Sequence, residues 1–171
     1  MNIIVRTASG AVCCRPDTTW ERENKDLFVP DEVAGYSYAP VLFARICKAG
    51  KCVSEKFAER YYDSFSFGVL LYVGDDLATG SCYDHSSVLP TPMKDKAELS
   101  KAETTFSLSL DGGRIYGTTL GETAAADICK AISAASKIVS MRIGDYIAIE
   151  LQQKEALTER TQQSRRFSAE M

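Results

Sequence analysis

The sequence predicts an α+β domain dominated by strands, with one short and one long helix. Three patterns carry that expectation. Two apolar runs rich in β-formers, roughly 41–47 and 65–73, are each bounded by turn residues. Phe106, Leu108 and Leu110 alternate up to Asp111-Gly112-Gly113, and Ile115 continues beyond, as in a hairpin. Ile128, Ala131, Ile132, Ala135 and Val139 recur at helical spacing between Glu122 and Val139, giving a long helix one apolar stripe.

Taken in order, Ala11-Val12-Cys13-Cys14 reads as a strand that stops at Arg15-Pro16-Asp17. Leu27-Phe28-Val29 reads as a second short strand, ended by the breaker pair Pro30-Asp31. A strand from about Val41 to Cys47 precedes the basic turn Lys48-Ala49-Gly50-Lys51. Ser54 is placed to cap a short helix over 55–62, with Glu55 in its first turn and Phe57 and Tyr61 at i, i+4. The run 65–73 is almost continuously apolar, as in a strand buried on both faces, and Gly74-Asp75-Asp76 closes it. Residues 78–104 read as loop, with Gly80, Pro90 and Pro92, passing into a charged stretch from Lys94 to Glu103. After the long helix, Ile143-Gly144-Asp145 leads into a last strand, 146–149. From Gln152 the chain is polar with little apolar face, the pattern of a tail that is disordered or loosely helical. The expected organisation is one domain, 1–151, followed by a polar tail, 152–171.

Bulk properties remove several function classes. The 171 residues suit one domain at ~100–200 residues each. A net charge of −3 supplies no basic field for nucleic acid. The longest apolar runs, such as Val69 to Val73, fall far short of the ~18 residues that span a bilayer, so no membrane role is expected. The opening MNIIVRTASG lacks a long apolar segment after a basic one, so the expected location is the cytoplasm. The six cysteines are accordingly read as reduced, and mostly as small buried hydrophobes. Cys47-x4-Cys52 misses zinc-knuckle spacing, and His85 is the one histidine available to complete a site.

Asp84-His85-Ser86 contains a triad's residue types, but sequence neighbours rarely point at one another, and His85 reads as a solvated loop residue. A carboxylate metal site would draw on Asp75, Asp76, Asp84 and Glu150; Asp75 and Asp76 follow a strand beside Gly74, where acids are common for local hydrogen bonding alone. Cys47 and Cys52 flank Lys48 and Lys51, cations able to favour a thiolate, though these read as solvated turn lysines. Arg165-Arg166 reads as a solvated end, and Gly112-Gly113 lacks the Lys-Ser/Thr of a phosphate loop.

The run RICKAGKCVSEKFAERYYDSFSFGVLLYVGDDL resembles the fumarylacetoacetate hydrolase family, in its bacterial short-chain branch. It matches a strand, a K-x-G-K-type turn, a helix ending in Tyr-Tyr-Asp, and a strand running to an Ala-Arg-Asp-Leu motif. Arg15-Pro16-Asp17-Thr18 is similar to a Lys-Pro-x-x segment, Tyr83-Asp84 to a Phe-Asp pair, and Met141-Arg142-Ile143-Gly144-Asp145 to a Leu-x-x-Gly-Asp region. The resemblance implies a mixed-sheet roll of the family's C-terminal type. It implies a homodimer, and a metal-dependent hydrolase or isomerase of diketo and related oxo acids. It also implies a metal held by a Glu-x-Glu pair and an Asp, which fall here on Ala39, Val41 and Leu70. The motif arginine falls near Gly74, the lysine before Phe-Asp falls on Ser81, and the Gly-Thr-Pro loop is replaced by Glu150-Leu151-Gln152. The acid–base His-x-x-Glu pair has no counterpart.

Methyl, isopropyl and isobutyl groups cannot ligate Mg²⁺ or Mn²⁺, which take oxygen donors in such sites. Three buried carboxylates without a metal would repel one another. Replacing all of them together relieves that tension and enlarges the core by about 0.8 kcal/mol per buried methylene. The expectation is therefore a non-catalytic relative with a binding or assembly role and no cofactor. Its expected partners are a second copy, a small oxo acid or another protein. The alternative is an enzyme, using Mg²⁺ or Mn²⁺ at Asp75, Asp76 or Asp84, or thiol chemistry at Cys47 or Cys52. A weaker alternative binds small acids through Arg45 or Arg15.

Overall fold

The computed structural model describes residues 1–23, 25–100, 104–121, 123–159 and 165–170. In chain order the elements are β1 (Asn2–Arg6), β2 (Val12–Pro16), β3 (Trp20–Glu21), β4 (Gly35–Ile46), α1 (Glu55–Ala58), β5 (Tyr62–Val73), α2 (Leu77–Gly80) and β6 (Ser87–Val88). They continue with β7 (Lys94–Asp95), β8 (Thr105–Leu110), β9 (Gly113–Thr119), α3 (Thr123–Ile138), β10 (Tyr146–Glu150), β11 (Glu155–Glu159) and β12 (Phe167–Glu170). Among the described residues, one mixed sheet runs β2-β1-β10-β4-β5-β6-β3, with β11 also on β4 and β7 also on β5. A second sheet runs β12-β8-β9. The strand-rich α+β roll expected from the sequence is the fold observed.

β4 and β5 form its spine, and period-two geometry explains their composition. Tyr36, Tyr38, Leu42, Ala44 and Ile46 of β4 join Phe65, Phe67, Val69 and Leu71 of β5 in one core. The stripe of α3, Ile128, Ala131, Ile132 and Ala135, packs into the same cluster. The alternate residues, Ala39, Val41 and Phe43 of β4 with Leu70 and Tyr72 of β5, form a second cluster on the opposite face. Both faces are buried, which is why these strands read as continuous apolar runs. At Gly68 an added Cβ would lie 2.4 Å from the Val88 carbonyl oxygen, so only glycine lets β6 seat this closely on β5.

Several expectations are corrected. β1 is a strand beyond those expected: Ile3, Ile4 and Val5 are fully buried and pair parallel to β10. Leu27-Phe28-Val29 forms no strand, and Phe28 is 84% exposed. The short helix 55–62 is α-helical only through Ala58, then tightens into a 3₁₀ turn at Glu59–Tyr61. Within 78–104, α2, β6 and β7 interrupt the expected loop, so the short helices number two among the described residues. The start of the long helix at Glu122, residues 101–103 of the charged stretch, and residues 160–164 and 171 of the tail lie outside the described residues. The rest of the polar segment forms β11, paired with β4, and β12, paired with β8, so 146–149 is not the last strand. Tyr38 donates a hydrogen bond to Glu155 Oε2 at 3.2 Å, and its ring lies 5.7 Å from that of Phe167. Strand addition at an edge needs backbone groups more than an apolar face, so composition did not signal it.

Candidate functional site

Strand register brings the three positions singled out by sequence together. Ala39 pairs with Leu70, and Val41 lies two residues along β4, so all three side chains share one face. Each is 0% exposed, among Ile3, Val5, Phe43, Leu89 and Ala148. The layer is hydrocarbon and closed to solvent.

Polar groups on the same face stand beside this layer. Arg15 of β2 is 1% exposed, and its guanidinium lies 4.3 Å from the centre of the Tyr72 ring. It donates to the Leu71 carbonyl at 2.8 Å, and to Ser86 Oγ and Ser87 Oγ, each at 3.1 Å. Ser87 pairs with Leu70, and Tyr72 lies two residues beyond Leu70, so this cation sits against the apolar layer. The Tyr72 hydroxyl donates to Glu150 Oε1, while Glu150 Oε2 accepts from the Ala8 N–H at 2.8 Å. Glu150, opposite Val41, is thus already engaged. Burial pushes the Tyr72 phenol far up, and Glu150 adds to this while Arg15 opposes it. Burial likewise raises the Cys13 thiol. Sequence reasoning missed this network because β1, which places β2 against the sheet, was itself unseen. The combination of Arg15 with Ser86 and Ser87 gave no local signal.

The remaining candidates do not converge. Asp76 caps α2, accepting from the Ala78 and Thr79 N–H groups, and this holds its carboxyl low, Thr79 contributing most. Asp75 is fully exposed, with Lys154 Nζ at 3.9 Å. Asp84 lies in the turn before His85, whose Nδ1 is 3.1 Å from Glu21 Oε2 while Ser86 turns inward to Arg15. The triad reading therefore fails on geometry: His85 Nδ1 meets Glu21 rather than Asp84, and the Ser86 hydroxyl is engaged by Arg15 and the Tyr83 carbonyl. Among the described residues no three His, Cys, Asp or Glu side chains gather as a metal group would require. Cys52 is exposed, and Cys47 Sγ lies 3.9 Å from the Arg60 carbonyl. Arg45 is committed to Asp63 through two hydrogen bonds of 3.0 and 2.7 Å, which hold the Asp63 carboxyl low.

A cavity of about 440 Å³ lies elsewhere, between residues 25–32 and the Tyr83–His85 turn. Glu21 organises its wall. Burial raises that carboxyl, but the Glu23 and Lys25 N–H groups and His85 more than offset this, leaving it lowered.

Solved structures resemble this arrangement over nearly its whole length. Fumarylpyruvate hydrolase from Pseudomonas aeruginosa, in complex with Mn²⁺ and pyruvate, superposes with a TM-score of 0.81 at 15% identity, over 99% of this chain and 84% of that one. The fold is that of the fumarylacetoacetate hydrolase family. Maleylpyruvate hydrolase from Sphingobium sp. SYK-6, in complex with manganese(II) and pyruvate, gives 0.76 at 14% identity, over 98% of this chain and 65% of that one. A protein from Yersinia pestis CO92 assigned to the fumarylacetoacetate hydrolase family gives 0.73 at 17% identity, over 92% and 83%. No protein-family model matches the sequence, and no curated protein matches it. No helix among the described residues is long and apolar enough to cross a membrane.

Proposed function

We propose that this chain is a non-catalytic relative of the fumarylacetoacetate hydrolase family, keeping the roll for a binding or assembly role. One observation carries the reading: Ala39, Val41 and Leu70, where the resemblance puts the metal ligands, adjoin in a sealed apolar layer. A divalent ion of the kind its structural neighbours hold does not fit these residues. They offer no oxygen donor, and Arg15 already places a positive charge beside Leu70. Glu150, the carboxylate across from Val41, is occupied by Tyr72 and Ala8. The alternative site at Asp75, Asp76 and Asp84 lacks support, since these acids serve a surface contact, a helix cap and a turn.

A thermal-shift panel of Mg²⁺ and Mn²⁺ crossed with pyruvate-type acids tests the reading. A resident ion would raise the Tm by mass action; the expected result is no shift beyond an ionic-strength control. Calorimetry revealing a tightly bound Mn²⁺ would overturn it. Turnover of an acylpyruvate that is abolished by EDTA would do so independently.

A further inference from the structure

Two loops meet at the far end of β4: residues 47–52, which follow that strand, and residues 139–144, which join α3 to β10. Met141 and Gly50 exchange backbone hydrogen bonds of 2.9 and 3.1 Å, and the Gly144 N–H donates to the Ile46 carbonyl at 2.8 Å. Lys51 Nζ donates to the carbonyl of Ile138, the last residue of α3, at 2.7 Å. The two loops therefore form one platform tied to the sheet.

Its surface combines charge of one sign with bare hydrocarbon. Lys48, Lys51, Lys137 and Arg142 are exposed, and none forms an ion pair with a described residue. Asp145, the acid that follows the second loop, is fully buried and accepts from the Asn2 and Arg142 N–H groups. On the adjoining elements Asp63 is bound to Arg45, and Glu55 and Glu59 alternate with Lys56 and Arg60. Four cations thus stand unpaired on a chain whose net charge is −3. Among them two isoleucines face water: Ile138 is 63% exposed and Ile143 is 73% exposed.

Local needs account for part of this. Lys51 and Lys137 lie at the C-terminus of α3, where the helix dipole favours cations, and Lys48 Nζ lies 5.2 Å from the centre of the Tyr61 ring. Arg142 and the two isoleucines have no such task, and leaving branched aliphatics in water works against folding. Exposed aliphatics set among cations match a surface that lies on an anionic bilayer, which requires no spanning helix. A nucleic acid would use the cations and leave the isoleucines in water. An acidic peptide would need a groove, whereas the cavity beside Ile143 is small and lined by the self-neutralised Arg45–Asp63 pair.

We propose that this platform docks the protein on an anionic phospholipid surface. Ile138 and Ile143 enter the boundary between headgroups and acyl chains, while Lys48, Lys51, Lys137 and Arg142 meet the lipid phosphates and carboxylates. The site is separate from the apolar layer and holds whether or not the chain is catalytic.

Co-sedimentation of the full chain with vesicles tests it, using phosphatidylcholine alone and phosphatidylcholine with about 30% phosphatidylserine. The expected result is binding to the anionic vesicles that fades at high salt, with little binding to the neutral ones. Each cation near such a surface contributes about fivefold, so Lys137→Gln with Arg142→Gln should weaken binding about 25-fold. Ile138→Ser with Ile143→Ser should weaken it about tenfold or more. Lys25→Gln with Arg114→Gln, an equal change of charge elsewhere, should leave it within about twofold. All six residues are exposed, so thermal melting should show every variant folded. Absence of binding to anionic vesicles at millimolar lipid would overturn the proposal. So would equal binding to neutral vesicles, indifference to either platform pair, or an equal loss with the control pair. Displacement by inorganic phosphate or by a poly-glutamate peptide at constant ionic strength would overturn it in favour of a free anion or an acidic protein.

Discussion

Leu70→Ala measures how firmly the apolar layer holds the roll together. Leu70 is 0% exposed and belongs to one cluster with side chains of β1, β4 and β10. Removing three carbons forfeits about 2.4 kcal/mol at ~0.8 kcal/mol per buried carbon. The neighbours cannot collapse freely: β6 is held against β5 at Gly68, and Arg15 is pinned by Ser86, Ser87 and Leu71. A residual cavity therefore raises the total to about 3–4 kcal/mol, within the usual range for such truncations. In urea at 25 °C, with a slope of about 2 kcal/mol/M, the midpoint should fall by about 1.5–2 M with no change in slope. Asp75→Asn, on the fully exposed side chain, should stay within about 0.5 kcal/mol. A loss below about 1 kcal/mol for Leu70→Ala would refute the packed-layer argument. Recovery of the lost stability by added Mn²⁺ would refute it more directly.

Arg15→Lys should cost about 2–3 kcal/mol in the same assay, since an ammonium cannot reproduce the planar fork and the stacking on Tyr72; a loss under about 0.5 kcal/mol would show that the network contributes little. Gly68→Ala should cost about 1–3 kcal/mol, because its methyl meets the Val88 carbonyl, read as a lowered Tm. Tyr72 has a phenol pKa raised by burial, so its contribution is complete below the unfolded value of about 10 and is lost as pH rises above it. Denaturation midpoints of Tyr72→Phe should accordingly fall less steeply than those of the parent at alkaline pH. Asp63 behaves oppositely: Arg45 lowers its carboxyl, so the pair's contribution is present above about pH 4 and fades as pH falls further. The gap between parent and Asp63→Asn should close in acid.

Legibility of the sequence followed how much of each element's stability came from its own side chains. β4, β5, the β8–β9 hairpin and α3 were evident because burial of their own residues dictates their patterns. β11 and β12 were not, because their partners are backbone groups of β4 and β8. The positions 39, 41 and 70 could be named from a resemblance, but their adjacency depends on the register of β4 against β5. The Arg15 network and the cavity beside the Tyr83–His85 turn join residues many positions apart, Arg15 to Ser86 and Tyr36 to Asp84. Single residues such as a serine or a tyrosine carry no local mark of such a meeting.

One edge of β4 is shared between two later strands. β10 covers Val41–Arg45, and β11 covers Gly35–Tyr38, with the Leu151 N–H bonded to the Pro40 carbonyl between them. Stripped of β11, the leading half of one of the molecule's two longest strands would offer bare amides and carbonyls to any passing chain. Strand β11 thus acts as a sheath, covering a seam that the globule's own interior leaves open.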